Sequence, residues 1–368
     1  MPASDSDQKD RRQNDPWSAT FWKGRRVIVT GHTGFIGSWL SLALLELGAE
    51  VHGLALPPTS DPSLFAASGL EGRMAHRIVD LRDLDPTRQA VSAAAPEIVF
   101  HLAAQPIVRQ ARQQPVESFA TNVMGTVHLL EALRGTDSVR GLVAFTTDKV
   151  YRNREWPWAY RESDALGGIE PYGASKVGTE QALDAYRSSY FQGPRRLPVA
   201  AIRAGNVVGG GDWAADRLVP DAMRAFAAGE VLVIRRPQAV RPWQHVLEAV
   251  GATLLLGRLT LEQPDLADQA WNFGPREEDR QPVGWIADRL ASAWPGGRWR
   301  HEPDEGGYEA GLLAVSSDKA RSLLGWSPRW TVAQAIDSSV EWYRRWHEGE
   351  DAAALVREQM RAYGIFGG

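Results

Sequence analysis

Cysteine is absent from the 368 residues, which excludes disulfides, thiolate-bound zinc and thiol catalysis. Lysine is scarce, with five against 36 arginines. Codon bias accounts for much of that imbalance. Still, a lysine can give up its proton where an arginine cannot, so each lysine is a candidate for chemistry. No apolar run approaches the roughly 18 residues of a membrane helix. The first twenty residues lack an apolar core, so no secretory signal is expected there and a cytoplasmic location is. Basic excess is missing too. The net charge is −4 and the pI about 6.1, which gives no reason to expect a nucleic-acid partner. Internal repeats and low-complexity tracts are lacking, and no metal site is expected.

What remains is the composition of a soluble globular protein, 43% hydrophobic and 23% charged. The length suggests two domains, or one large α/β domain with an added lobe. Residues 1–22 read as a disordered tail. Order is expected from Arg25, with a first strand over 25–30. Further strands are predicted at 50–54, 76–80, 97–102, 141–147 and 198–203, and helices at 36–47, 84–94, 116–133 and 172–190. Strands alternating with helices predict an α/β fold, a Rossmann-like doubly wound parallel sheet with helices on both faces. Beyond 205 the alternation loosens, and helices are predicted near 217–229, 243–258, 283–293 and 332–347. The expected division is a nucleotide-binding domain over 23–205, rejoined by parts of 240–275. A smaller mixed C-terminal substrate lobe would take most of 206–368.

The turn Gly31-His32-Thr33-Gly34-Phe35-Ile36-Gly37 sits between the first strand and first helix. Glycines there let the backbone approach a pyrophosphate at a helix N-terminus. The second strand ends without the acid that grips an adenine ribose, and no arginine replaces it. Asp80-Leu81, after the third strand, is the nearest candidate for the adenine end, and a solvated loop aspartate is the competing reading.

Tyr172 and Lys176 lie at i and i+4 on one helix face. A cation beside a phenol lowers its pKa and makes it a usable base. Thr146-Thr147 closes the fifth strand, at the sheet edge where doubly wound folds bind ligands.

Together these elements resemble the extended short-chain dehydrogenase/reductase family over roughly residues 24–345. The resemblance implies NAD as cofactor. It also adds Ala103, Ala104 and Gln105 after the fourth strand, Asn122 on the following helix, and Thr146 and Asn206 to the cofactor surroundings. The residues after Thr147 narrow it further. Asp148 and Lys149 are an acid and a base at the mouth of the site, which an enzyme that eliminates water needs and a simple epimerase does not. The pattern looks like the nucleotide-sugar 4,6-dehydratase branch. Long stretches agree, among them 101–109, 155–162, 167–172, 203–213, 241–246 and 271–275.

The resemblance implies CDP-glucose or a related nucleotide sugar as substrate. Thr147, Tyr172 and Lys176 would serve C4 oxidation, Asp148 would be the acid toward the C6 hydroxyl, and Lys149 the base toward the C5 proton. A lysine base must be largely neutral, which desolvation or a neighbouring cation promotes. Arg217, Arg235 and Arg241 are expected on the diphosphate or ribose, with Gln105, Asn206 and His245 also at the substrate. Trp156, Trp158, Trp213 and Trp243 either stack on a base or pack in the core. The segment 308–316 matches the branch only in part, which leaves GDP-, UDP- and dTDP-sugars, or epimerisation, as alternatives. A non-catalytic NAD(P)-sensing scaffold is the rival outside enzymology, and retention of the Tyr172/Lys176 pair argues against it. A homodimer through the helices at 116–133 and 172–190 is the family's usual assembly.

Overall fold

The computed structural model describes residues 17–303 and 310–365. Of the tail expected over 1–22, residues 1–16 lie outside the described residues, and residues 17–22 correct the expectation. Residues 17–22 fold onto the core, with a helical turn at Ala19–Trp22 and both Trp17 and Trp22 buried. Trp17 meets Tyr363 edge-on, and Trp22 tilts against Phe100. Two large indoles bury more apolar area than their polar neighbours can oppose.

Seven parallel strands form the central sheet. In chain order its elements begin with β1 (Arg26–Thr30), α1 (Phe35–Glu46), β2 (Glu50–Ala55) and β3 (Ala75–Ile78). Next come α2 (Leu84–Ala94), β4 (Ile98–His101), α3 (Gly125–Arg134) and β5 (Gly141–Phe145). They are followed by α4 (Pro171–Ser189), β6 (Val199–Ala204), α5 (Leu218–Ala227), α6 (Val246–Glu262) and β7 (Ala270–Phe273). The longer helices that follow are α7 (Val283–Ala293), α8 (Val332–His347) and α9 (Ala352–Ala362). The strand order is β7-β6-β5-β4-β1-β2-β3. The chain therefore leaves β1 in both directions, and the crevice between β1 and β4 at their carboxyl ends is the topological switch point where such sheets take ligands.

β-Branched runs make these strands. Val27, Ile28 and Val29 are fully buried because both faces of the sheet are covered. One face packs on α1 and α6, the other on α2, α3 and α4. The helix expected at 116–133 is present as Pro115–Phe119 and α3, joined by a π-helical turn at Ala120–Met124. That turn frees the Asn122 carbonyl to accept the hydroxyls of Thr126 and Thr179 (2.7 Å for Thr179). Such turns concentrate at functional sites.

Beyond β6 the chain builds a lobe over the carboxyl edge of the sheet from α5, α7 and α8 and short strand pairs. Asn206–Val208 runs parallel to Trp243–His245, and Leu232–Ile234 to Trp299–His301. α6 and β7 return to the sheet.

The C-terminal end is tied down by a buried carboxyl. Glu248 on α6 accepts the backbone N–H groups of Arg329 and Trp330, both at 2.9 Å, and the Tyr363 hydroxyl at 2.6 Å. Burial pushes this carboxyl up to about 7 from its ordinary 4.5. The folded state then holds a proton that the unfolded chain has released. Its stabilisation is complete below the ordinary value and is lost as pH rises through about 7. Glu248→Gln keeps the acceptor oxygen and cannot ionise. Thermal melts should show wild type losing stability relative to this variant between about pH 5 and 8, by a few kcal/mol. Parallel pH curves would show that Glu248 does not titrate in that range.

Candidate active site

A cleft of about 1100 Å³ runs from the β1–α1 turn across the carboxyl ends of β4 and β5 to the C-terminal lobe. At one end, Gly31 has φ +73 and a Cβ there would come within 2.7 Å of the Ala103 nitrogen. A Cβ at Gly37 would lie 2.1 Å from the Gly31 carbonyl oxygen. The backbone here is drawn so tight that only glycine fits. Gly34 caps α1, whose first-turn N–H groups lack intrahelical partners. Thr33, Phe35 and Ile36 complete this wall of the cleft, and Thr33 anchors it by donating to the Leu56 carbonyl at 2.9 Å.

His32 does not line the cleft. Its backbone belongs to the turn, but its buried ring packs between Phe65 and His76. Burial, with His76 nearby, pushes its pKa down to about 4. Side chains of successive turn residues point to opposite sides, and this one points into the core.

Asp80 and Leu81 line the cleft beside the turn. Arg82 grips the Asp80 carboxylate through Nε at 2.9 Å and also reaches Glu117. That pairing holds the Asp80 carboxyl below its ordinary range. Ala103 and Ala104 form the floor. Gln105 and Asn122 lie behind it. The Asn122 side chain accepts the Gln105 N–H at 2.8 Å and donates to the Gln105 carbonyl at 3.1 Å and to Ser175 Oγ at 2.8 Å. Asn122 thus clamps the loop after β4 to α4, and neither it nor Gln105 faces the cavity.

Thr146, Thr147, Lys149, Tyr172 and Lys176 meet at the centre of the cleft. β5 ends at Phe145, and Thr147 starts a helical turn at Asp148–Val150. The Thr147 hydroxyl donates to Asp148 Oδ1 at 3.0 Å, and the Tyr172 phenol hydrogen-bonds the Thr147 side chain. Asp148, expected at the mouth of the site, does not line the cleft: it is only 1% exposed, and its Oδ2 has no protein partner. Lys149 is 31% exposed, with Nζ 3.5 Å from Asp148 Oδ1. The neighbour of this lysine is therefore a carboxyl group, where a cation was expected.

The phenol also departs from expectation. Tyr172 is pushed up to about 12, chiefly by burial and further by Asp148 and Glu170, while the Thr147 hydrogen bond and Arg217 pull it down. Lys176 is spent elsewhere: its Nζ donates to the Phe145 carbonyl at 3.0 Å, and burial pushes its pKa down to about 8.

The far wall carries Asn206, Arg217, Arg235 and Arg241. Arg217 is held by Asp212 at 2.9 Å, and Arg241 donates to the Val240 carbonyl at 2.9 Å and to that of Ala310. Of the partly matching segment, Tyr308 and Glu309 lie outside the described residues. His245, expected at the substrate, does not line the cleft. It ends its strand and accepts the Leu247 N–H as the cap of α6, with its ring buried between Trp39 and Trp330. Trp213 packs on Trp342 and Trp346, Trp156 on Trp158 and Tyr160, and Trp243 alone of the four lines the cleft.

Sequence reasoning missed Arg112, Arg236 and Asp212, which also line the cleft. It also missed an ion pair across the mouth. Arg109, after β4, meets Asp216 of the C-terminal lobe at 3.0 Å. Arg109 stands inside the quoted 101–109 stretch, which was the available signal.

The chain belongs to the NAD dependent epimerase/dehydratase family, whose sequence model matches residues 27–273. Within it, the chain is 42% identical over 348 residues to the CDP-glucose 4,6-dehydratase of Salmonella typhimurium, covering 93% of this chain and 97% of that one. It is 28% identical over 349 residues to a dTDP-glucose 4,6-dehydratase of Xanthomonas campestris, covering 88% and 95%. The solved UDP-glucose 4-epimerase of Thermus thermophilus in complex with NAD superposes with a TM-score of 0.74 at 26% identity, over 87% of this chain and 99% of that one.

NAD is the cofactor of the family, and the cradle fits it: a pyrophosphate needs the bare backbone N–H groups that the glycine turn presents. Gly37→Ala should therefore lower NAD affinity by about tenfold or more, read by calorimetry on protein with unchanged circular dichroism. Unaltered affinity would remove the turn from the cofactor site.

Proposed function

We propose that this protein catalyses the redox-neutral 4,6-dehydration of a nucleotide-activated hexose, CDP-glucose, giving CDP-4-keto-6-deoxyglucose and water. The observation that carries the reading is the Thr147-Asp148-Lys149 edge facing Tyr172. Thr147, Lys149 and Tyr172 line a cleft with an arginine-rich far wall, and the buried Asp148 carboxyl joins them from behind, 3.0 Å from the Thr147 hydroxyl and 3.5 Å from Lys149 Nζ.

NAD, held at the glycine turn, would supply the acceptor for the C4 hydride and the source of the hydride returned to C6. The side chains manage the protons. Tyr172 Oη takes the proton of the C4 hydroxyl, with Thr147 Oγ1 beside it. The ketone acidifies C5. Proton transfer within the Asp148–Lys149 pair leaves a neutral amine and a protonated carboxyl, and Lys149 Nζ then removes the C5 proton. An Asp148 carboxyl oxygen protonates O6, and water leaves. Lys149 then returns its proton to C5. Tyr172 holds the proton from C4 and Asp148 has spent one, and Thr147 bridges the two. Passing the proton along Tyr172–Thr147–Asp148 resets both groups and closes the balance. Arg217, Arg235 and Arg241 would hold the diphosphate and ribose as charge-assisted donors.

The domain over 23–205 carries the cofactor in this reading, and the later lobe carries the nucleotide sugar. A homodimer and a cytoplasmic location are part of the proposal. Val116, Phe119 and Met124, exposed along the Pro115–Arg134 segment, support a helix-pair interface. No helix among the described residues is long and apolar enough to cross a membrane.

The test is incubation with CDP-glucose and catalytic NAD. A 4-keto-6-deoxy product with no net cofactor consumption is expected. A product retaining its C6 oxygen would sink the dehydration. Faster turnover of a UDP-, GDP- or dTDP-hexose would move the nucleobase assignment.

A further inference from the structure

Behind the cleft lies a buried polar assembly that the reaction above does not use. Glu180 and Arg203 form an ion pair with side chains only 3% and 6% exposed. Arg203 Nε donates to Glu180 Oε1 at 2.8 Å and Oε2 at 3.1 Å. Its Nη1 donates to the Tyr151 hydroxyl at 3.0 Å and the Glu162 carbonyl at 3.1 Å. The Tyr151 hydroxyl in turn donates to Asn272 Oδ1 at 2.7 Å. The Thr146 hydroxyl donates to Glu180 Oε1 at 2.7 Å.

An isolated ion pair in the interior seldom justifies its desolvation by stability alone. The placement of this one is specific. Glu180 stands one turn after Lys176 on the same face of α4, and it holds the residue next to Thr147. Lys176 sits buried and donates a hydrogen bond to a neutral carbonyl, that of Phe145. A desolvated ammonium there needs a counter-charge to keep its proton. The other ionisable group acting from an adjacent strand is His101, whose buried ring is pushed down to about 3 and is neutral. Tyr172 lines the cleft, Asp148 is buried beside Lys149, and the Arg203 guanidinium binds the Glu180 carboxylate directly.

We propose that Glu180 is a positioning residue for the reaction: it is the buried counter-ion that keeps Lys176 an ammonium, and through Thr146 it fixes the strand end that carries Thr147. Arg203 holds the Glu180 carboxylate in the orientation that serves both tasks. The direction of the Lys176 shift agrees, since Glu180 raises a pKa that burial lowers. The catalytic consequence rests on the reaction proposed above, while the counter-ion role does not.

Direct titration tests it. With only five lysines, the ε-carbon NMR signals of labelled protein are few, and Lys176→Met assigns the one in question. In NAD-loaded wild type, Lys176 should titrate as a distinct, low lysine. Glu180→Gln should move that titration down by about one unit or more and shift the alkaline limb of kcat in the same direction. Glu180→Asp should restore most of both. Because Glu180→Gln leaves Arg203 buried and unpaired, Glu180→Gln/Arg203→Met provides a neutral pair that packs. The double variant should regain thermal stability and still show the lowered Lys176 titration. A Lys176 titration unchanged in either variant overturns the proposal and leaves the pair a packing element. So does a double variant that recovers wild-type kcat and its pH profile. Absence of dehydration in wild type would instead defeat the reaction assignment and leave the Lys176 result standing.

Discussion

Lys149→Met is expected to stop the reaction halfway. C4 oxidation uses Tyr172 and Thr147, which this change leaves in place, so reduced cofactor should form in a burst. Water loss needs the C5 proton removed. Of the two amines in the cleft, Lys176 is buried against the Phe145 carbonyl, which leaves Lys149, 3.5 Å from Asp148. A general base contributes about 10²–10⁴-fold, so steady formation of the deoxy product should fall by that factor. The check is single-turnover absorbance of the reduced nicotinamide beside product analysis by NMR. In wild type the reduced form is transient. In the variant it should persist. Methionine matches the lysine stem in length, so collapse of the cleft is not an alternative explanation. Dehydration at the normal rate would transfer the base to another group.

Tyr172→Phe should have the other large effect, and at the earlier step. The ring is buried and keeps its packing as phenylalanine. What disappears is the oxygen that receives the C4 proton and meets Thr147. Turnover should fall by about 10³-fold or more with little change in NAD affinity. No reduced cofactor should accumulate, which separates this variant from Lys149→Met. The phenol of the protein alone is pushed up to about 12, so activity in wild type depends on positive charge arriving opposite it. Arg217, which pulls the phenol down, is one source within the chain. A burst of reduction in Tyr172→Phe equal to that of wild type would show that another group takes the proton.

Much of this was legible in residue order. Runs such as Val27-Ile28-Val29 and Ile98-Val99-Phe100 cannot be other than buried strands, and their alternation with helical segments dictated a parallel sheet. The i, i+4 spacing of Tyr172 and Lys176 needed no structure. Other features depend on which way a side chain turns. His245 belongs to a stretch that reads as substrate-facing, yet the strand ends there and the ring swings back to cap α6. His32 lies inside the phosphate turn, yet only its backbone serves the turn. Trp17 and Trp22 sit in a polar stretch whose composition hides the two side chains that matter. The Glu180–Arg203–Tyr151–Asn272 assembly draws on four separate elements, and no local periodicity links them. The expected effect of Lys176 on Tyr172 failed for a related reason. Spacing tells that two groups share a face, but not that one of them is already committed to the Phe145 carbonyl.

The edge-on meeting of Trp17 with Tyr363, rings 5.9 Å apart, has a practical side. It brings the two ends of the described fold onto one patch, where a short glycine-serine bridge could splice them. The chain could then be reopened at the exposed Gly193–Arg195 turn between α4 and β6. Such a permutein would begin with β6 and reach the glycine cradle only after α9, placing most of the cofactor fold late in synthesis.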